Sequence, residues 1–189
     1  ENTLRGEVVI GLPVVFGLNM VLPLLTQFGQ ENPLLKFKIL FDLAPSFNAQ
    51  LLRGDVDFAF VDDFRLDTQI ETKNVYNEIL ELCCTKEYIK DKGTGTSKKY
   101  FESLDYICFE DNAPLIRKWL SHHHKLSQCD FNIKAEIADA LGVAKMMTSG
   151  LGVGVLPRHQ VKSLIKSGHD IHTFKGKHAK DLTNKISIA

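Results

Sequence analysis

The sequence has no net charge to offer: Lys plus Arg number 23 and Asp plus Glu number 23. It therefore lacks the overall positive field that holds a nucleic-acid backbone by counterion release. It also lacks any apolar run approaching the ~18 to 20 residues of a membrane span. The opening residues, Glu1 to Gly6, show no basic stretch leading into an apolar one, so no signal peptide is visible. Cysteine is sparse, and Cys83, Cys84, Cys108 and Cys129 include an adjacent pair. That spacing suits neither a disulfide framework nor a CxxC zinc knuckle, and buried small hydrophobes in a reducing cytoplasm are expected instead. The single tryptophan, Trp119, lies among helix-forming residues and reads as packing. What remains is 189 residues, 44% hydrophobic and 24% charged, a balance that can bury a core and excludes collagen, coiled coil and disordered tail.

Charge is unevenly spread. Residues 1–83 carry 6 basic and 12 acidic side chains, residues 84–174 carry 13 and 10, and residues 175–189 carry 4 and 1. The segments are thus −6, +3 and +3, which suggests two bodies of different character. No internal repeat is visible, and only Lys92 to Lys99, with its Gly, Thr and Ser, reads as a flexible polar loop.

Strand and helix signals alternate. Glu7 to Gly11 is a β-branched run that reads as a buried strand. From Leu18, apolar Val21, Leu22, Leu25 and Phe28 fall on one helical face until Gly29 and Pro33. Lys36 to Phe41 is the next strand, Pro45 opens a helix, Gly54 suits the left-handed residue after it, and Val56 to Val61 is a third strand. This order implies a parallel sheet with right-handed crossovers. Glu78 to Cys84 is an extended link. Beyond it, strands are expected at Tyr106 to Phe109, Phe131 to Ile137, Gly152 to Leu156 and Asp170 to Phe174. Helices are expected from Pro114 through Trp119, from the N-cap Asp139 to Ser149, and from Pro157 through Ile165. A last strand, Lys185 to Ala189, has nothing after it to cover its face.

Few of these residues suggest chemistry. Gly150-Leu151-Gly152-Val153-Gly154 lacks the third glycine of a dinucleotide loop, and close backbone packing in a strand accounts for it better. His122, His123 and His124 point in different directions on a helix and find no ligand one turn away, so a solvated helix end is expected and no metal. Cys83 and Cys84 have no partner base near in sequence. No Ser/His/Asp or paired-carboxylate arrangement stands out, and the chain reads as non-catalytic, with no cofactor.

Three stretches in order, Arg5 to Gly11, Leu52-Arg53-Gly54-Asp55-Val56-Asp57-Phe58-Ala59-Phe60 and Ser149-Gly150-Leu151-Gly152-Val153-Gly154-Val155-Leu156-Pro157, resemble the effector-binding domain of LysR-type transcriptional regulators. Asn32-Pro33 before the second strand also fits, and the resemblance covers essentially the whole chain. It implies a two-lobed α/β fold of the periplasmic-binding-protein type 2 class, with two crossover strands and a small effector in the cleft. Lobe I would be residues 1–83 plus 175–189 and lobe II residues 84–174. The family's N-terminal winged helix-turn-helix and its final helix are not in these residues, so DNA would be met only through the absent domain, by a cytoplasmic homodimer or homotetramer. The alternative is a free-standing bilobal solute-binding protein of a transport system.

On such a fold ligands lie beyond the carboxyl ends of strands, at helix N-termini. The loops so placed contain Pro13, Val14, Val15, Phe16 and Gly17, then Pro45, Ser46 and Phe47, then Val61, Asp62 and Asp63. In the second lobe they contain Glu110, Asp111 and Asn112, then Ala138 and Asp139. Their acids, with no Lys or Arg, predict a neutral or amine-bearing effector with an apolar part against Val14, Val15 and Phe16. The helix with Leu18, Met20, Val21, Leu24, Leu25 and Phe28 has apolar residues beyond one stripe, which implies an oligomer interface.

Overall fold

The computed structural model describes residues 3–62, 64–176 and 180–189. In chain order its strands are β1 (Gly6–Leu12), β2 (Leu35–Phe41), β3 (Phe58–Val61), β4 (Lys73–Thr85), β5 (Asp105–Cys108), β6 (Asn132–Glu136), β7 (Gly154–Pro157), β8 (Ile171–Thr173) and β9 (Thr183–Ile188). The helices are α1 (Val14–Phe16), which runs through a π-helical turn (Gly17–Val21) into α2 (Leu22–Glu31), then α3 (Ala44–Arg53), α4 (Lys86–Lys92), α5 (Lys98–Glu102), α6 (Pro114–His124), α7 (Ala140–Thr148) and α8 (Arg158–Lys166). The chain divides into two compact units, Glu1–Glu78 with Asn184–Ala189, and Ile79–Thr183. Residues 79–83 and 175–183, expected in lobe I, thus group with the second unit. Pairing explains the shift, since Leu80 to Cys83 lie against β7 and the Leu80 N–H donates to the Leu182 carbonyl at 2.9 Å.

In the first unit β1 pairs in parallel with β2 and β3, whereas β3 pairs antiparallel with β9. The sheet is therefore mixed rather than wholly parallel, because the chain returns to it only at its end. Residues of β1 alternate between two cores, as a two-residue repeat requires. Val9 packs with Ala44, Phe47, Ala59 and Val61 under α3, while Ile10 and Leu12 pack with Phe16, Val21 and Ile186. Ile186 is buried, so β9 does have cover for its inward face, contrary to the sequence reading. Gly11 is required by packing: a Cβ there would stand 2.5 Å from the Phe47 ring. Gly54 takes the left-handed conformation (φ 73°) that closes α3.

The first helix departs from expectation in start and in phase. It begins four residues before Leu18, at Val14, after Pro13. The π turn inserts an extra residue per turn and rotates everything downstream. Met20 consequently leans on the core, whereas Phe28, expected on the core stripe, is exposed.

In the second unit the later part of β4 pairs antiparallel with β7 and β8, and β5 pairs in parallel with β6. Strand β5 also meets the segment before β7, where the Val153 N–H donates to the Asp105 carbonyl at 2.8 Å. A Cβ on Gly152 would collide with that carbonyl, so the glycine-rich stretch is a packing device, as the sequence reading held. Trp119, Tyr106, Phe101, Leu104 and Leu120 form the larger core, and Ile107, Val143, Met147 and Leu156 a second one. Two short helices, α4 and α5, flank the Lys92 to Lys99 loop; Thr85 and Ser97 cap them through the N–H groups of Tyr88 and Tyr100.

Candidate functional site

The strands of each parallel set end on one edge, and the loops there carry the residues singled out by sequence. After β1, Pro13 and Val14 are half-buried, but Val15, Phe16 and Gly17 are buried. The Phe16 ring lies 5.8 Å from Phe60 and 5.6 Å from Tyr76, so it belongs to the core and offers a ligand no face in this structure. After β2, Pro45 is exposed and Phe47 fully buried, a core residue for the same reason. Ser46 is already engaged. Its hydroxyl donates to the Asp42 carboxylate and accepts from the Gln50 amide at 3.1 Å. That bond and the Leu43 N–H, at 2.8 Å, hold Asp42 below the usual carboxylate range. After β3, Val61 is buried and Asp62 exposed, while Asp63 lies outside the described residues.

In the second unit Glu110 and Asp111 are exposed after β5. Asn112 (φ 62°) and Ala113 (φ 53°) then both adopt left-handed backbone. For alanine this conformation costs about 1–2 kcal/mol. Arg117 holds the turn, its Nε–H donating to the Asn112 carbonyl at 2.8 Å and Nη1 to the Cys129 carbonyl at 3.1 Å. Ala138 is exposed, and Asp139 is the N-cap foreseen from sequence, accepting from Leu141 N–H at 2.6 Å and Gly142 N–H at 3.1 Å. Its carboxylate is thereby committed to the helix.

The helix starts differ in a way the sequence did not announce. Those at α4, α5 and α7 carry side-chain caps, Thr85, Ser97 and Asp139. Those that follow β1, β2 and β5 begin at Pro13, Leu43 and Ala113, with no side-chain cap. None of the three has a side-chain acceptor at its first turn, although Pro45 and Pro114 bring no N–H there and the Ser46 N–H turns back to the Leu43 carbonyl at 3.0 Å. Asp42 was also missed, and although Asn112 was placed in the loop, the left-handed backbone at Asn112 and Ala113 was not foreseen; asparagine tolerates it, but alanine gives no sequence signal for it.

The remaining candidates are structural. All four cysteines are buried and unpaired with one another, as expected. Burial pushes the Cys84 thiol up to about 12 and the Cys108 thiol up to about 11, so neither is a thiolate near neutrality. The histidine run is not a solvated helix end. His123 and His124 are buried, 4.5 and 5.5 Å from the Trp119 ring, and His124 lies 4.8 Å from Phe101. Their rings pack against those aromatic faces, and the His122 ring meets the Lys180 carbonyl at 2.8 Å. Among the described residues no group of His, Cys, Asp or Glu could hold a metal ion, and no helix is long and apolar enough to cross a membrane.

Solved structures share this fold at low sequence identity. The regulatory domain of the OxyR2 C206S mutant from Vibrio vulnificus superposes with a TM-score of 0.77 at 13% identity, covering 100% of this chain and 87% of that one. CrgA, a LysR-type transcriptional regulator from Neisseria meningitidis, gives 0.79 at 14%, covering 97% of this chain and 61% of its own. HinK, a LysR family transcriptional regulator from Pseudomonas aeruginosa, gives 0.74 at 17%, covering 99% and 65%. No curated protein matches in sequence. The model of the LysR substrate binding domain matches residues 1–174, and with the α/β units and mixed sheets described above, the chain belongs to that family of regulator domains.

Proposed function

We propose that the chain is the sensor of a LysR-type transcription factor: it binds a small effector in the inter-lobe cleft and controls transcription through the geometry of an oligomer. The observation that carries this reading is the set of uncapped helix starts at Pro13, Leu43 and Ala113. Helix N-termini without a side-chain cap favour a ligand that supplies acceptor oxygens. Asp42, Asp62, Glu110 and Asp111 stand in the same loops without a basic residue among them, which disfavours a bare anion. Both conditions are met by a neutral effector with a carbonyl or hydroxyl acceptor, and an amine on the same molecule suits the acids. Pro13, Val14 and Pro45, with part of their surface open, are its contacts in the first unit. Glu110, Asp111 and Ala138 are its contacts in the second.

Thermal-shift screening with matched acids, amides and amines tests this. Amides or amines should raise the melting temperature more than the corresponding acids, and a larger response to the acids overturns the reading. Solution scattering with a saturating, stabilising ligand should show compaction, because a ligand shifts an open–closed equilibrium by its difference in affinity. Assembly is proposed through the first helix. Leu18, Leu24 and Phe28 are exposed there, at 42%, 67% and 42%, beside Leu34 and Phe41 at the two ends of β2. Leu25 and Met20 support this row from the core side, and Val21 is buried beneath it. An antiparallel homodimer, or a homotetramer built from it, would cover that apolar row.

A further inference from the structure

The second unit contains a cavity of about 360 Å³ that uses none of the loop residues discussed above. Ligand pockets begin at about 300 Å³, so this one has room for a small molecule. Leu80, Trp119, His123 and Phe174 form its apolar and aromatic wall; Glu81, Arg158, Lys175 and Asp181 supply its charge. Arg158 is fixed in place from one side, its Nε–H donating to Glu81 Oε1 at 2.7 Å. Glu81 is 19% exposed, so this short charge-assisted bond sits in a partly desolvated place and sets the direction of the guanidinium.

The other edge of the guanidinium is held loosely. Nη1 and Nη2 donate to the two carboxylate oxygens of Asp181 at 3.4 and 3.3 Å. These distances exceed the 2.7–2.9 Å of a strong charge-assisted bond, and Asp181 is 47% exposed. An exposed pair of this kind contributes little. The structure thus displays a pre-aimed fork with a weak internal carboxylate on it, beside an aromatic wall, with a second cation, Lys175, on the rim.

We propose that this cavity is a second small-molecule site, selective for a carboxylate with an apolar or aromatic body, which docks on the Nη1/Nη2 edge of Arg158 in place of Asp181. The fork geometry matches a carboxylate in two parallel bonds, which an amide or amine cannot form. Displaced, the Asp181 side chain returns to water at little cost, and the ligand body takes the wall of Trp119, Leu80 and Phe174. Asp181 immediately precedes Leu182, whose carbonyl accepts from Leu80 N–H, and Thr183, where β9 begins. Occupancy would therefore be felt in the segment that leads out of this unit.

Trp119 is the only tryptophan and lines the cavity, so its emission reports occupancy directly. The test titrates the 189-residue chain with benzoate, benzamide and benzylamine. Benzoate should change Trp119 emission saturably, with benzamide and benzylamine at least about tenfold weaker. Asp181→Ala, which removes the internal competitor, should tighten benzoate by about two- to fivefold. Arg158→Met should weaken it by about tenfold or more, with Arg158→Lys as a charge-keeping control and circular dichroism confirming the fold of each. The proposal is overturned by benzamide binding as tightly as benzoate, by unchanged affinity in a folded Arg158→Met or Arg158→Lys variant, by weaker binding in Asp181→Ala, or by no saturable signal with benzoate. Because a carboxylate held at Arg158 would also raise the melting temperature, the comparison of acids, amides and amines at the effector loops is read in the Arg158→Met variant, so that failure of one reading is separate from failure of the other.

Discussion

The two units solve the problem of surface in opposite ways. The first, Glu1–Glu78 with Asn184–Ala189, carries 7 basic and 11 acidic residues, and the second, Ile79–Thr183, carries 16 and 12. Among the described residues, eleven of the fourteen exposed large hydrophobics belong to the first unit, and only Met146, Leu151 and Ile165 to the second. Ion pairs are distributed in reverse: Arg53–Asp55 is in the first unit, and the pairs of Lys86, Lys92, Lys98, Lys134 and Arg158 are all in the second. A unit whose apolar surface is left open is suited to another chain, whereas one dressed in charge would contribute mainly electrostatics to such a contact. The excess of opposite sign on the two units, −4 and +4, would also favour antiparallel pairing of two copies.

This contrast lies at the surface, so equal damage to the two interiors should cost equally. Trp119→Ala in the second unit and Phe47→Ala in the first should each destabilise by about 3–5 kcal/mol in urea unfolding, as large core deletions do. A cost below about 1 kcal/mol for Phe47→Ala would mean that the first unit has no firm core of its own. Asp105→Asn comes next. That carboxylate is 16% exposed and receives Lys92 at 3.0 Å, Lys134 at 3.5 Å, Asn132 at 2.6 Å and the Tyr88 hydroxyl at 3.2 Å. Burial alone would raise its pKa, but the hydrogen bond and charge of Lys92, the Tyr88 hydroxyl and Lys134 together bring it below the ordinary 3.8. Its contribution is thus present above 3.8 and lost as pH falls through the lower folded value. The substitution should cost about 2 kcal/mol at pH 7 and progressively less in acid.

Smaller effects probe the surfaces themselves. Leu24→Glu should change stability by less than about 0.5 kcal/mol and yet shift sedimentation toward monomer. Retention of the oligomer would remove the first helix from the interface. Burial, and then the charge of Lys86, lower the pKa of His172 from 6.5. The folded state therefore resists protonation, and this residue's part in stability is full above 6.5 and declines as pH drops toward the folded value. His172→Gln should flatten that slope in thermal melts between pH 7 and pH 5 by a small amount.

The order of elements was legible because it depends on local patterns. The β-branched run at Val8, Val9 and Ile10, the left-handed Gly54 and the Asp139 cap each act within a few residues. The candidate site was legible only as a set of loops. Periodicity cannot register a π turn, so the phase of the first helix and the fate of Met20 and Phe28 were misjudged. Nor can it reveal that Ser46 is spent on Asp42, or that Val15, Phe16 and Phe47 face inward. Those outcomes depend on partners far away in sequence.

By itself, then, the sequence determined the alternation of strands and helices, the close-packed glycines at Gly152 and Gly154, the buried thiols and the family. Each follows from residue chemistry acting over short spans or from motifs in order. Tertiary structure alone decided that β9 returns antiparallel beside β3 and is covered. It also decided that two histidines pack on Trp119, and that Arg158 meets Glu81 and Asp181 across 77 and 23 residues of chain. Contacts at such separations depend on how the whole chain buries its apolar surface, which no local window contains.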